Sequence, residues 1–210
     1  MSLKKTIKGL AKAYAPNVIL LRRHIHANPE LSYEEFETAK FVSNELKNIG
    51  LEPTEGVATT GLTALIKGKN PSKRTIALRA DMDALPITET NNIPYKSKNE
   101  GLMHACGHDV HTSSLLGVAR ILNDLKDKFE GTIKLIFQPG EEVNPGGASL
   151  MIKAGVLKNP APGQIFGQHV MPFIPTGKVG FREGMYMASA DEIYMTIKGK
   201  GGHAALPDKV

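Results

Sequence analysis

The residues best suited to chemistry crowd into His104-Ala105-Cys106-Gly107-His108-Asp109-Val110-His111, where three histidines and the chain's only cysteine fall within eight positions. Thiolate and imidazole are the softer ligands that suit zinc, manganese, cobalt or nickel, and Gly107 lets the backbone turn tightly between two of them. A helix starting beside the cluster, or a bound cation, would lower the thiol pKa. A buried structural cysteine beside surface histidines is the plainer reading. The density of the cluster weighs against it.

Three further stretches carry candidate groups. Gln138-Pro139-Gly140-Glu141-Glu142 follows the apolar run Ile133 to Phe137, Asp81-Met82-Asp83 closes another β-type run, and Gly167-Gln168-His169-Val170 closes a third. Adjacent carboxylates are commonly a solvated loop, a strand-end Asp a turn or cap, and a strand-end His a hydrogen-bonded structural residue. Neighbouring side chains in an extended segment point different ways, so one glutamate can hold a metal while the other faces a water, which gives hydrolysis a ligand and a general base. In a parallel-type sheet the carboxyl ends of the strands converge on one crevice, so the four stretches read together as a site.

The elements that must position them follow from periodicity. Ile7, Leu10, Ala11 and Tyr14 predict a helix that Pro16 interrupts and Val18 to His26 resumes. Ser32 followed by Glu35 reads as a capping box opening a helix with Phe36, Ala39, Val42 and Leu46 on one face, stopped by Gly50. Strands are expected at Leu62 to Ile66, Thr75 to Arg79, Thr132 to Phe137, Ile165 to Val170 and Lys178 to Phe181. An amphipathic helix is expected from Asp109 to Phe129 and a short one from Ala148 to Ala154, with a loop from Ile87 to Gly101. Strands alternating with helices indicate an α/β fold. From Met187 onward the pattern changes: Glu192 to Lys198 alternates and then meets the glycine-rich turn Gly199 to Gly202. The segment 187–210 therefore reads as the start of a second unit left incomplete, after a catalytic domain over 1–186.

Composition narrows the class. The 210 residues are 41% hydrophobic and 22% charged, which excludes disorder and leaves room for a real core. No apolar run is long enough to span a bilayer, and the N-terminus lacks an apolar stretch with a cleavage site, so neither a membrane protein nor a signal peptide is expected. One cysteine and no possible internal disulfide point to a cytoplasmic setting. The net charge of +5 is scattered and only 6% of residues are aromatic, so a nucleic-acid groove is not expected.

The set RRHIHANPELSYEE, RADMDALPI, HACGHDVHT, QPGEE, GQHVMP and KGKGGHAALP resembles the M20 metallopeptidase superfamily. It is most similar to the amidohydrolase branch that contains N-acyl-amino-acid amidohydrolases, hippurate hydrolases and auxin-conjugate hydrolases. The resemblance covers residues from about 22 to 207 and implies a three-layer α/β/α, zinc-peptidase-like catalytic domain followed by a smaller α+β lid. It implies two divalent metal ions (Mn, Zn, Co or Ni) held by Cys106, His108, Glu142 and His169, with Glu141 as catalytic base and Asp83 supporting the site from behind. It implies that His203 binds substrate and the developing oxyanion, and that the lid mediates a homodimer. His24 and His26 fall in a family signature but read as helix packing, and His104 and His111 as supporting or structural residues. Members of that family are nearly twice this length and bring a further histidine ligand from a returning segment, for which no counterpart follows His203.

The implied reaction is hydrolysis of a small N-acyl amino acid. A bridging ligand needs more than one lone pair, which neutral imidazole lacks, so Cys106 thiolate or a carboxylate must bridge, and Cys106 is preferred. Two rival readings stand beside this one. Cys106 could be the nucleophile of a thiol hydrolase, which a chelator would leave active. Or the chain could be a non-catalytic or association-only fragment of such an enzyme.

Overall fold

In the computed structural model, residues 2–187, 191 and 193–205 are described. The chain divides into two compact units, Met1–Met171 and Pro172–Val210, so the boundary expected at 186/187 falls inside the second unit. The first unit holds all the regular structure among the described residues: α1 (Leu3–Ala27), α2 (Phe36–Asn48), β1 (Thr54–Val57), β2 (Gly61–Lys67), β3 (Thr75–Asp81), α3 (His108–Asp124), a 3-10 turn (Lys126–Lys128), β4 (Thr132–Gln138), α4 (Gly147–Lys153) and β5 (Gln164–Gly167). No helix of the described residues is long and apolar enough to cross a membrane.

The five strands form one mixed sheet in the order β1-β2-β4-β3-β5. β3 pairs in parallel with β4 on one side and β5 on the other, while β2 runs antiparallel to both β4 and β1. The chain leaves β3 toward one edge to make β4, then returns past β3 to make β5. Right-handed crossovers in opposite directions put their helices on opposite faces. That is how α3 and α4 are placed.

Strand alternation builds the two cores. Leu62, Ala64 and Ile66 of β2 stand opposite Phe137, Leu135 and Ile133 of β4, and this face packs on Val42 and Leu46 of α2 and Leu115, Leu116 and Ala119 of α3. Ala77 and Ile136 point the other way, onto Met151 of α4 and Val156. The loops leaving β3 and β4 therefore diverge to opposite faces and open a crevice between two parallel strand ends, where α/β sheets place their sites.

Several expectations change. Pro16 does not interrupt α1, which runs through it as one 25-residue helix. The proline removes one intrahelical bond, but α1 lies along α3, and burial of Leu21 and Ile25 outweighs that loss. Ser32 and Glu35 form no capping box, because both side chains are used elsewhere; the Glu30 carboxylate caps α2 instead, accepting from Glu37 N–H (3.1 Å) and Thr38 N–H (2.7 Å). α3 stops at Asp124 instead of reaching Phe129, the chain tightening into the 3-10 turn before it enters β4. The sheet is mixed, and β1 was not anticipated. In the second unit no strand forms at Lys178–Phe181 or over 193–198, and Glu192 lies outside the described residues. A strand needs a neighbour for its backbone groups, and Lys178 N–H turns back to Pro175 O instead.

Candidate metal centre

Four chain segments meet at the crevice. Asp81 and Asp83 leave β3, Glu141 and Glu142 leave β4, His169 follows β5, and Cys106 and His108 sit at the start of α3. Gly107, the N-cap of α3, has φ of 91°, and a Cβ there would lie 2.4 Å from Val170 Cγ2. Only glycine permits both the left-handed turn and the approach of the β5 segment. Glycine at 107 thus sets Cys106 and His108 on a tight bend facing His169.

His108 is wholly buried. Its Nδ1 lies 2.9 Å from Asp83 O and 3.1 Å from Asp83 Oδ1, both acceptors, so Nδ1–H donates and Nε2 is the nitrogen left to face the crevice. Around Nε2 stand Asp81 Oδ2 at 3.7 Å, Glu142 Oε1 at 3.8 Å and Glu141 Oε2 at 4.0 Å, all too far to hydrogen-bond. His108 Nε2 and Glu142 Oε1 are both buried with no hydrogen-bond partner. Ligands about 2.0–2.3 Å from one tetrahedral ion stand roughly 3.3–3.7 Å apart. The spacing fits a cation between them. Cys106 Sγ and His169 Nε2, at 3.3 Å, have the same spacing. Cys106, His108 and His169 form one ligand group, and His108, Glu141 and Glu142 another, sharing His108.

The electrostatics agree. Burial alone would push the His108 imidazole down, but the hydrogen bond to Asp83, the proximity of Cys106 and the field of Asp81 and Asp83 outweigh it and raise its pKa to about 11. For Asp81, burial would raise the pKa. The His111 hydrogen bond and the nearby Arg79, His108 and His111 charges prevail and keep it well below the usual carboxylate range. Burial raises Glu141, helped by the charges of Glu142 and Asp81.

The acidic loop is braced from behind by the turn between α1 and α2. Asp83 Oδ2 accepts from Ser32 Oγ (2.6 Å) and from Glu142 N–H (2.9 Å), so one carboxylate orients His108 and the backbone of Glu142 together. Glu35, fully buried, accepts from Gly140 N–H (2.7 Å) and from the Thr60 hydroxyl. Tyr33 OH donates to Val143 O (3.0 Å), and its ring fills the space that a side chain at Gly140 (φ 54°) would need, a Cβ there lying 2.3 Å from Tyr33 Cε1. Sequence reasoning missed these residues because Ser32 and Glu35 also satisfy a capping pattern. The available signal was the run of polar groups after Pro29.

Of the anticipated residues, the structure brings together Cys106, His108, Asp83, Glu141, Glu142 and His169. His203 lies in the second unit, where it is exposed and its Nδ1 accepts the Ala205 N–H (3.1 Å). His26 does more than pack. Its Nδ1 is 2.8 Å from Asp109 Oδ2 and its Nε2 is 3.2 Å from Glu89 Oε1, while Arg22 Nε reaches the same Asp109 oxygen at 2.7 Å. The Asp109 hydrogen bond is the main reason the His26 pKa is raised, against its burial. His104 is buried beside this network with both ring nitrogens unpartnered, and burial lowers its pKa to about 4.

The model for peptidase family M20/M25/M40 matches residues 77–206. A thermostable carboxypeptidase 2 of Saccharolobus solfataricus is 46% identical over 209 residues, 99% of this chain and 52% of that protein. An N-acyl-L-amino acid amidohydrolase of Geobacillus stearothermophilus is 44% identical over 204 residues, 97% of this chain and 54% of that protein. Among solved structures, the YXEP protein of Bacillus subtilis, described as a dinuclear metal binding peptidase from the M20 family, matches with a TM-score of 0.77 at 44% identity. That match covers 82% of this chain and 48% of that one. The chain spans about half the length of the curated relatives it matches.

Proposed function

The chain belongs to peptidase family M20/M25/M40, and on that premise we propose that its crevice is the centre of a metal-dependent amidohydrolase cleaving N-acyl amino acids or related small amide conjugates. One observation carries the reading: two buried atoms of ligand type, His108 Nε2 and Glu142 Oε1, lie 3.8 Å apart and neither has a hydrogen-bond partner. Relatives named as an N-acyl-L-amino acid amidohydrolase and a dinuclear metal binding peptidase support the chemistry.

In this reading Cys106, His108, Glu142 and His169 would hold the cations, the Cys106 thiolate having lone pairs to spare. Manganese, zinc, cobalt and nickel all suit such a set. Two divalent cations bound there would supply a water of lowered pKa and polarise the amide carbonyl. Glu141 takes the proton from the attacking water and hands it to the leaving amine. Its raised pKa brings it closer to the working pH, where a group can both accept and release a proton. Asp83 keeps the His108 Nε2 lone pair aimed into the crevice by accepting from Nδ1–H.

The test is hydrolysis of a panel of N-acyl amino acids by protein stripped with chelator and then supplied with manganese, zinc or cobalt. Activity should vanish on stripping and return with metal. Activity that survives the chelator would instead favour Cys106 as a thiol nucleophile, a reading to which the 3.3 Å approach of His169 Nε2 lends some geometry.

A further inference from the structure

We propose that His111 is a positioning residue: a buried hydrogen-bond chain from Asp81 through His111 to the backbone of Val170 holds the neighbouring His169 in place as a ligand. The inference rests on the metal-binding reading above.

His111 is fully buried, and its Nδ1 lies 2.6 Å from Asp81 Oδ1. Ionised carboxylate oxygens only accept, so Nδ1 carries the proton and Nε2 the lone pair. Val170 N–H donates to that lone pair at 2.9 Å. Both ring nitrogens are therefore committed. Although Asp81, His108 and His111 lie close enough to form a ligand group, His111 has no lone pair left for a cation.

The chain is anchored at one end. Arg79 Nη1 donates to Asp81 Oδ2 (2.6 Å) and Arg79 Nε to Gln138 Oε1 (2.8 Å), while Thr112 Oγ1 donates to Asp81 O (2.7 Å). These bonds tie the ends of β3 and β4 to α3. At the other end, β5 stops at Gly167, and the exposed His169 lies past its last paired residue. Val170 is gripped from two sides, by His111 at its N–H and by Gly107 under its side chain. The His111 ring also lies 4.6 Å from the His169 ring at 64°, an edge-to-face contact that sets its tilt. His169 Nδ1–H donates to Val170 O (2.7 Å), which leaves its Nε2 lone pair facing Cys106 Sγ. Fixing Val170 thus fixes both the place and the tautomer of His169.

The experiment is calorimetric titration of metal-free protein with Mn2+ and Co2+, on the full chain. His111→Phe keeps a ring of similar size but deletes both hydrogen bonds, and should weaken binding about 10- to 100-fold. His111→Asn keeps a donor for Asp81 but falls short of Val170, and should weaken binding similarly, which tests the link even if the Phe variant does not fold. His111→Gln, whose terminal N and O are spaced much like the two ring nitrogens, should restore binding to within about threefold of wild type. The Co2+ absorption bands of the Gln variant should match wild type, because no ligand has been exchanged. Wild-type affinity in both the Asn and Phe variants would overturn the proposal, and so would shifted Co2+ bands in His111→Gln. If the wild-type protein binds no cation, the metal reading itself fails. If wild type binds, His169→Ala does not, and the His111 variants bind normally, only the positioning role fails.

Discussion

His26 and His108 are both buried histidines set among carboxylates, yet their surroundings differ in one respect. Both nitrogens of His26 have a carboxylate at hydrogen-bond distance, 2.8 and 3.2 Å, and Arg22 helps balance the charge. His108 is satisfied only at Nδ1, while Nε2 faces three carboxylates at 3.7–4.0 Å, too far to bond and close enough to share an ion. The first is an ion network in which both histidine nitrogens are paired, and it ties α1 and the loop after β3 to the start of α3. The second is an open cluster, which the proposed reading fills with a cation. Their partners are chain neighbours, since Asp109 of the first network directly follows His108, so one turn of helix serves both. Carboxylates at 2.8–3.2 Å pair the nitrogens of His26, while those at 3.7–4.0 Å leave His108 Nε2 unpaired.

Substitutions on each side sharpen this contrast. The largest effect is expected from Glu141→Gln, which should lower turnover on an N-acyl amino acid by on the order of a hundredfold or more while elemental analysis finds unchanged metal; undiminished turnover would remove Glu141 as the base. His26→Leu takes one partner from each of two buried carboxylates, leaving Asp109 to Arg22 and Glu89 to Ser97 N–H and Asn91, so denaturant unfolding should show a loss of about 3 kcal/mol with metal stoichiometry preserved. If metal were lost and stability kept, the two sites would not be distinct. Asp83→Asn removes the anion behind His108 and should weaken Mn2+ binding about 10- to 100-fold by titration calorimetry; wild-type affinity would mean that the Nδ1 contact has no influence on the cluster.

The smallest effect concerns Glu35. Burial raises its pKa, more than the Thr60 and Gly140 hydrogen bonds lower it. The folded state therefore holds that proton more tightly than the unfolded chain, so this contribution to stability is present below pH about 4.3 and is lost as pH rises through the folded pKa. Glu35→Gln removes the titration. Its melting temperature relative to wild type should rise between pH 4 and pH 8, and a pH-independent difference would contradict the assignment.

The contrast was only half legible in the sequence. The stretches holding Cys106, His108, Glu142 and His169 stood out because soft ligands and acids fell at strand ends and a helix start, and those elements form within a few residues of expectation; the choice of these four within the stretches rested on the resemblance. Strands β2, β3 and β4 were readable from their apolar runs. The role of His26 was not, because Asp109 is 83 positions away and Glu89 sits in a loop without period. Glu35 was misread for the same reason: as a potential cap it looked local, while its partner is Gly140, 105 residues on. The helical break at Pro16 failed because the packing that overrides a proline comes from α3. His203 rests on the resemblance alone.

Residue chemistry and periodicity, which are local properties, determined the α/β class and the candidate clusters, and the resemblance of whole motifs supplied the family and the ligand set. The three-dimensional packing decided which lone pairs remained free. A histidine reads identically in sequence whether its nitrogens are paired or vacant, and the difference is set by contacts among residues far apart in the chain, at distances that only the assembled sheet, its two diverging loops and α3 define.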